Sequence, residues 1–181
     1  MGVPEQLEGI APASQAEAFV RLADGQLDAS YRLARAILHD PSEAEDATHD
    51  ALVQAWRKWS TLRDPVLFER WFTRILVNTC RNRLRRRAAH RSDPLTELIV
   101  EPARDDPFTA TDDRDALGHA LRQLSPDHRV VVALRFYRDL STDEIARLLG
   151  ARAGTIRSRL HYALKHLASF MDEADRMAME R

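Results

Sequence analysis

Cysteine is nearly missing from this chain. Cys80 stands alone, so an internal disulfide and a thiolate metal cluster are both excluded, and a reducing compartment fits. Glycine is scarce, at 6 of 181 residues, and no tract repeats, which leaves collagen-like and low-complexity readings without support. No apolar run approaches the roughly 18 to 20 residues that a membrane-spanning helix needs, and the first residues lack a basic-then-apolar leader pattern. We therefore expect a cytoplasmic protein without membrane insertion. Strand signals are missing too: the β-branched cluster Val130-Val131-Val132 continues into Leu134 and Tyr137 at helical spacing, so no sheet is expected. There is no Gly-rich phosphate loop, nucleophile elbow or His-Glu-x-x-His spacing among the seven scattered histidines. The expectation is no enzyme, no metal and no cofactor.

Net charge is also small, with 27 Lys+Arg against 28 Asp+Glu, but the average hides strong segregation. Arg81, Arg83, Arg85, Arg86, Arg87 and Arg91 form a block without acids. Asp93 to Asp115 then carries eight acids and two arginines, and Ala116 to Phe170 turns basic again with nine Lys/Arg against four acids. Pro94, Pro102 and Pro107 interrupt the acidic stretch, which reads as a flexible linker between two modules. The fold expected is all-α: two small helical domains joined by that acidic linker. Their bounds are 14–91, linker 92–115 and 116–170, with a loose tail over 1–13 and a second tail over 171–181.

Helix starts are expected at Ser14 with Glu17, Ser42 with Glu45, Ser141 with Glu144, and Ser125-Pro126; the three Ser/Glu pairs have capping-box spacing. Breaks are expected at Asp24-Gly25 and Asp40-Pro41. In the helix after Pro41, Ala44, Ala47, Ala51, Leu52, Ala55 and Trp59 form an apolar stripe, and Glu43, Asp46, Asp50 and Gln54 are left on an acidic face. The helix after Pro65 buries Phe68, Phe72, Ile75 and Leu76 on one side, and Cys80 and Leu84 on another. Between these sides Arg70, Arg74, Arg81 and Arg85 line up at 100° per residue, with Asn78 at the edge. With Trp56, Trp59 and Trp71 near its start, this cationic rail suits unpaired nucleic acid, through phosphate attraction and base stacking. Trp59 and Trp71 fit the core equally well.

The second module reads as four helices ending in a helix-turn-helix. A capped helix from Leu140-Ser141 ends at Gly150, small Ala146 permits a close crossing, and a last helix turns Ile156, Leu160, Ala163, Leu164 and Leu167 inward. Ser158, His161, Tyr162 and Lys165 then face outward with Arg157 and Arg159 on the flanks, a set that fits a major groove. Arg152, where an N-cap is expected, would meet phosphate near the helix's positive end.

These residues resemble the extracytoplasmic-function sigma factors of bacterial RNA polymerase, in the sigma-70 superfamily, over about Ser14 to Phe170, and in particular the actinobacterial SigE-like group. Glu43-Ala44-Glu45-Asp46-Ala47-Thr48-His49-Asp50-Ala51-Leu52 with Ala55-Trp56 resembles the polymerase-binding helix of region 2. Trp71-Phe72-Thr73-Arg74-Ile75, Asn78, Asn82 and Leu84-Arg85-Arg86 resemble the element that opens and reads the minus-ten promoter region, where the family usually has Asp in place of Asn82. Leu124-Ser125-Pro126, Glu144-Ile145-Ala146, Leu149-Gly150 and Gly154-Thr155-Ile156-Arg157-Ser158-Arg159-Leu160 resemble the minus-thirty-five reader of region 4.

The resemblance implies a factor that binds the polymerase core, at the clamp helices of the largest subunit and the flap of the second-largest, and promoter DNA. It also admits an anti-sigma partner. It implies polymerase contacts at Glu43, Asp46, Asp50, Gln54 and Trp56. Minus-ten contacts fall to Arg63, Trp71, Arg74, Asn78, Arg81, Asn82 and Arg85. Minus-thirty-five contacts fall to Arg152, Thr155, Arg157, Ser158, Arg159, His161, Tyr162 and Lys165. The alternative is a free-standing helix-turn-helix regulator that binds duplex DNA alone.

Overall fold

The computed structural model describes residues 12–91 and 112–179; within these, all regular structure is helical. The tail over 1–11 and the center of the acidic stretch, 92–111, lie outside the described residues. The first half comprises α1 (Pro12–Asp24), α2 (Leu27–Leu38), α3 (Pro41–Arg57) and α4 (Phe68–Arg91), with 3-10 turns at Trp59–Thr61 and Pro65–Leu67. The second comprises α5 (Asp112–Gln123), α6 (Pro126–Tyr137), α7 (Thr142–Leu149) and α8 (Ala153–Met179). The helix α5 begins inside the stretch expected to be linker, and α8 continues through most of the expected tail.

Two expected starts move for one physical reason. The cap of α3 is Asp40, whose Oδ1 accepts from the Glu43 amide at 2.9 Å, rather than Ser42, and α1 begins at Pro12 rather than at Ser14. Proline at the first helical position has φ preset for a helix and lacks only an amide that would be unpaired anyway, so both helices start there, and on α3 the residue before it, Asp40, is the cap. The other starts fall where expected. Ser125 caps α6, and Ser141 and Glu144 form a complete capping box on α7, the Ser141 amide donating to Glu144 at 2.9 Å. The Ser141 hydroxyl and amide hold the Glu144 carboxyl below its ordinary range. Gly150 closes α7 at φ 65°, a left-handed conformation that costs glycine little.

In the first half α2, α3 and α4 pack on one another around Leu33, Ile37, Ala47, Ala51, Phe72 and Leu76, all fully buried. Trp59 is core: only 5% exposed, it meets Phe19 and Phe68 edge-on. In the second half α5, α6 and α7 pack on α8, with a core of Ala120, Leu124, Val132, Ala163 and Leu167. The halves are not independent. Helix α6 lies along α2, α4 touches α6 and α7, and Val131, Leu134, Ile145 and Ile156 join the apolar cluster of the first half. Among the described residues no helix is long and apolar enough to cross a membrane.

Candidate nucleic-acid interface

The acidic stripe of α3 faces α4, and α4 answers it. Arg83 donates to Glu43 at 3.1 Å and to Asp50 at 2.6 Å, and pairs with Asp46 at 3.6 Å; Arg87 pairs with Glu43 at 3.2 Å and Asp40 at 3.4 Å. Partial burial works against the charge on Arg83, but the bonds and charges of Asp50 and Glu43 outweigh it and push its pKa up. Gln54 continues the stripe and donates to Thr79 at 3.2 Å. Asp46 and Asp50 still present more than half of their side chains to water. Trp56 stands apart from the other four: two residues past Gln54 is a 200° turn, so it leaves α3 on another flank, 47% exposed and edge-on to Phe19.

The rail on α4 is exposed at Arg70, Arg74, Asn78, Asn82 and Arg85 and half-buried at Arg81. A groove of about 290 Å³ runs between α3 and α4, lined by Gln54, Lys58, Ile75, Asn78, Arg81, Asn82 and Arg85. Its donors are cationic or amide, and Asn82 turns its Oδ1 toward Arg85 at 3.4 Å. The arrangement therefore offers hydrogen-bond donors to phosphate and to base edges from one wall. Lys58 belongs to this lining and went unread in the sequence, although it follows Gln54 by four residues on the same helical face. Arg63 is exposed in the loop ahead of α4, while Trp71 is half-buried against Phe68, 5.9 Å between ring centers. Trp71 thus keeps one side in the core and one toward solvent.

In the helix-turn-helix, Ile145, Ala146 and Ile156 are buried at the crossing of α7 and α8, and the Gly150 and Ala151 amides close on the Ala146 carbonyl. This fixes which side of α8 faces out. Arg152, Thr155, Arg157, Ser158, His161, Tyr162 and Lys165 are all exposed, and Arg159 is half-buried. Ser158 is turned back, its hydroxyl donating to the Gly154 carbonyl at 3.0 Å. The His161 and Tyr162 rings meet edge-on at 5.5 Å, making a small aromatic ridge beside the cations.

Asp127 joins the two basic surfaces. Its Oδ1 lies 3.3 Å from Arg81 on α4 and its Oδ2 2.5 Å from Arg159 on α8. Charge patterning gave no hint of this residue, because its partners lie 46 and 32 positions away. No group of side chains suited to a metal ion occurs among the described residues.

Comparison with known proteins matches this architecture. Residues 26–90 match the sigma-70 region 2 family and residues 114–167 the sigma-70 region 4 family. The chain is 35% identical over 156 residues to the RNA polymerase sigma-E factor of Streptomyces coelicolor, covering 85% of this chain and 87% of that protein. It is 31% identical over 166 residues to the ECF RNA polymerase sigma factor SigL of Mycobacterium tuberculosis, covering 90% and 94%. Among solved structures it is similar to the sigma factor RpoE of Bartonella quintana in complex with the anti-sigma factor NepR, with TM-score 0.69 and 25% identity over 84% of this chain and 94% of that one. CnrH in complex with the cytosolic domain of CnrY shares the fold, with TM-score 0.63 and 22% identity over 88% and 95%.

Proposed function

Because the chain belongs to the extracytoplasmic-function sigma factors of the sigma-70 family and so directs promoter-specific transcription initiation, we propose that its two basic surfaces divide the promoter between them. In this reading residues 14–91 form region 2, 92–115 the linker, and 116–170 region 4. The groove between α3 and α4 takes the opened minus-ten strand: Arg74, Arg81 and Arg85 neutralize phosphate, Asn78 and Asn82 meet base edges, and Trp71 and Arg63 hold unstacked bases. The outward side of α8 takes the minus-thirty-five duplex, with Arg157, His161 and Tyr162 toward bases, Arg152, Arg159 and Lys165 toward phosphate, and Thr155 and Ser158 at the rim.

Polymerase core is the partner of α3, through the acids Glu43, Asp46 and Asp50 with Gln54 and Trp56. The flap of the second-largest subunit is the partner of the second half. The relatives' work with polymerase makes the cytoplasm the expected location, and the neighbor solved with an anti-sigma factor makes such a partner reasonable here. Opening the strands draws on binding free energy alone, since capture of unstacked bases needs no nucleotide hydrolysis.

The observation that carries this division is the pair of exposed basic surfaces on separate halves, one a groove and one a helix shaped for a major groove. The docking assignment has a clean test, because Arg83 already binds the acids from inside. Arg83→Gln breaks the internal pairs and leaves Asp46 and Asp50 free, whereas the double substitution Asp46→Asn, Asp50→Asn removes the charges. If polymerase docks there, the first variant binds core at least as well as wild type and the second binds more weakly. Equal weakening by both would mean that the acids serve only α4.

A further inference from the structure

We propose that Asp127 is a specificity-determining residue of the minus-thirty-five reader: it pins the Arg159 guanidinium on the flank of α8, so that only a backbone phosphate arriving in register meets it. The inference rests on the assignment of α8 to the minus-thirty-five duplex above. Asp127 Oδ2 lies 2.5 Å from Arg159 Nη2, a short, charge-assisted contact. Asp127 stands in the first turn of α6 and Arg159 in the second turn of α8, so the bond joins two helices of the same half. The contact with Arg81 of α4 uses the other oxygen, Oδ1, and leaves this bond alone.

Helical spacing shows why the place of that guanidinium matters. Arg159 follows Thr155 by four residues and precedes Tyr162 by three, so it sits between them on one flank of α8. That flank lies about 100° around from Ser158, and Arg157 lies about 100° around on the other side. Both supports of the bond are rigid. Ser125 caps α6 by accepting from the His128 amide at 3.4 Å, and Arg129 holds the carbonyls of Leu121, Arg122 and Leu124 in the turn before it. Behind the pair, Val132 of α6 and Ala163 and Leu167 of α8 are buried in one apolar cluster. A bond between two fixed supports holds a long side chain in one geometry.

The pair is too open to serve stability. Asp127 leaves 41% of its side chain exposed and Arg159 29%, and ion pairs in that setting add little to folding. On DNA the carboxylate acts in two directions. It offsets part of the charge that Arg159 offers to any phosphate, which weakens attraction that ignores sequence. It also removes beforehand the rotamer freedom that Arg159 would lose on binding, which favors the one phosphate position that the fixed fork can reach. The first effect is felt anywhere on a duplex and the second only in the correct register. Asp127 therefore weakens binding to wrong sequences more than to the right one without touching a base, and Arg157, His161 and Tyr162 meet base edges in the register that the phosphate contact sets.

The test uses the full chain on polymerase core. The upstream element that wild type selects from a promoter library is compared with a scrambled one, the minus-ten element held constant, and the ratio of the two binding constants is the discrimination. Asp127→Asn should lower that ratio about fivefold, the scale of one long side chain that must be immobilized on binding, with the scrambled template bound as well as before or more tightly. Asp127→Glu, which keeps the charge, should restore most of the ratio. Arg159→Gln should lower it as well, and adding Asp127→Asn to Arg159→Gln should lower it no further, whereas an effect acting through Arg81 would persist in that background. An unchanged ratio for Asp127→Asn overturns the proposal, and so does a further loss in the double variant. Equal weakening on both templates, the mark of a misfolded variant, leaves the ratio unmoved and counts against it too. A wild-type ratio of one would instead remove the assignment of α8 to the upstream element, and this proposal with it.

Discussion

His39 ends α2 with a left-handed backbone, φ 54°, and its Nε2 is buried without a partner among the described residues. Burial, followed by the charges of Arg129, Arg122 and Arg35, pushes its pKa down to about 3. Unfolded, the ring titrates near its ordinary 6.5, so below that pH the unfolded chain takes up a proton that the folded chain refuses. Stability from this group is complete above about 6.5 and falls as the pH drops toward 3, by up to about 1.4 kcal/mol per pH unit. Asn tolerates the same backbone, so His39→Asn should lose less stability than wild type between pH 7 and pH 5, measured by urea midpoints; equal losses would contradict the assignment. Cys80 carries the opposite change for the same reason. Burial pushes its thiol up to about 12, so at neutral pH iodoacetamide should modify it only as fast as the chain unfolds. Its place in the core was legible from the apolar side of α4, whereas nothing in the sequence marks His39, because its environment is assembled from α5 and α6.

Among elements, α7 and α3 separate what local chemistry encodes from what it leaves open. The capping box of α7 was legible from Ser141 and Glu144 alone, since all of its bonds lie within one turn. Ser141→Ala should cost about 1 kcal/mol in thermal or urea unfolding, as loss of a helix cap does. The same spacing at Ser42 and Glu45 misleads because Pro41 starts the helix two residues earlier and passes the cap to Asp40. Asp40→Ala should therefore cost about 1 kcal/mol and Ser42→Ala close to none; the reverse order would restore the Ser42 cap. Trp59 and Trp71 show a different limit. Both lie beside apolar stripes, so periodicity alone could not divide core from base contact, and only packing makes Trp59 core and leaves Trp71 half-open. The acidic stripe of α3 was likewise visible as charge, but not that Arg83 would answer it from α4.

At the scale of the whole molecule, the alternation of basic and acidic blocks suggested two modules, while the Ser141–Glu144 pair, Ala146 and Gly150 pointed to the helix-turn-helix. It could not announce how they pack together, because the joining contacts span 46 residues from Arg81 to Asp127 and 108 from Ser30 to Arg138. Such pairings carry no local signature; they follow from how α6 settles along α2. The sigma-factor account ties these scales together: two helical halves, each with a basic surface, serve the start of transcription at one promoter. Its most direct measurement is in vitro transcription by polymerase core plus the purified chain on a randomized promoter library. The account predicts discrete start sites on templates that share two short elements at a fixed spacing, with Arg157→Ala and Tyr162→Ala altering the upstream element and leaving association with core intact. Absence of any discrete start on every template, with core and chain both active in binding, would contradict it.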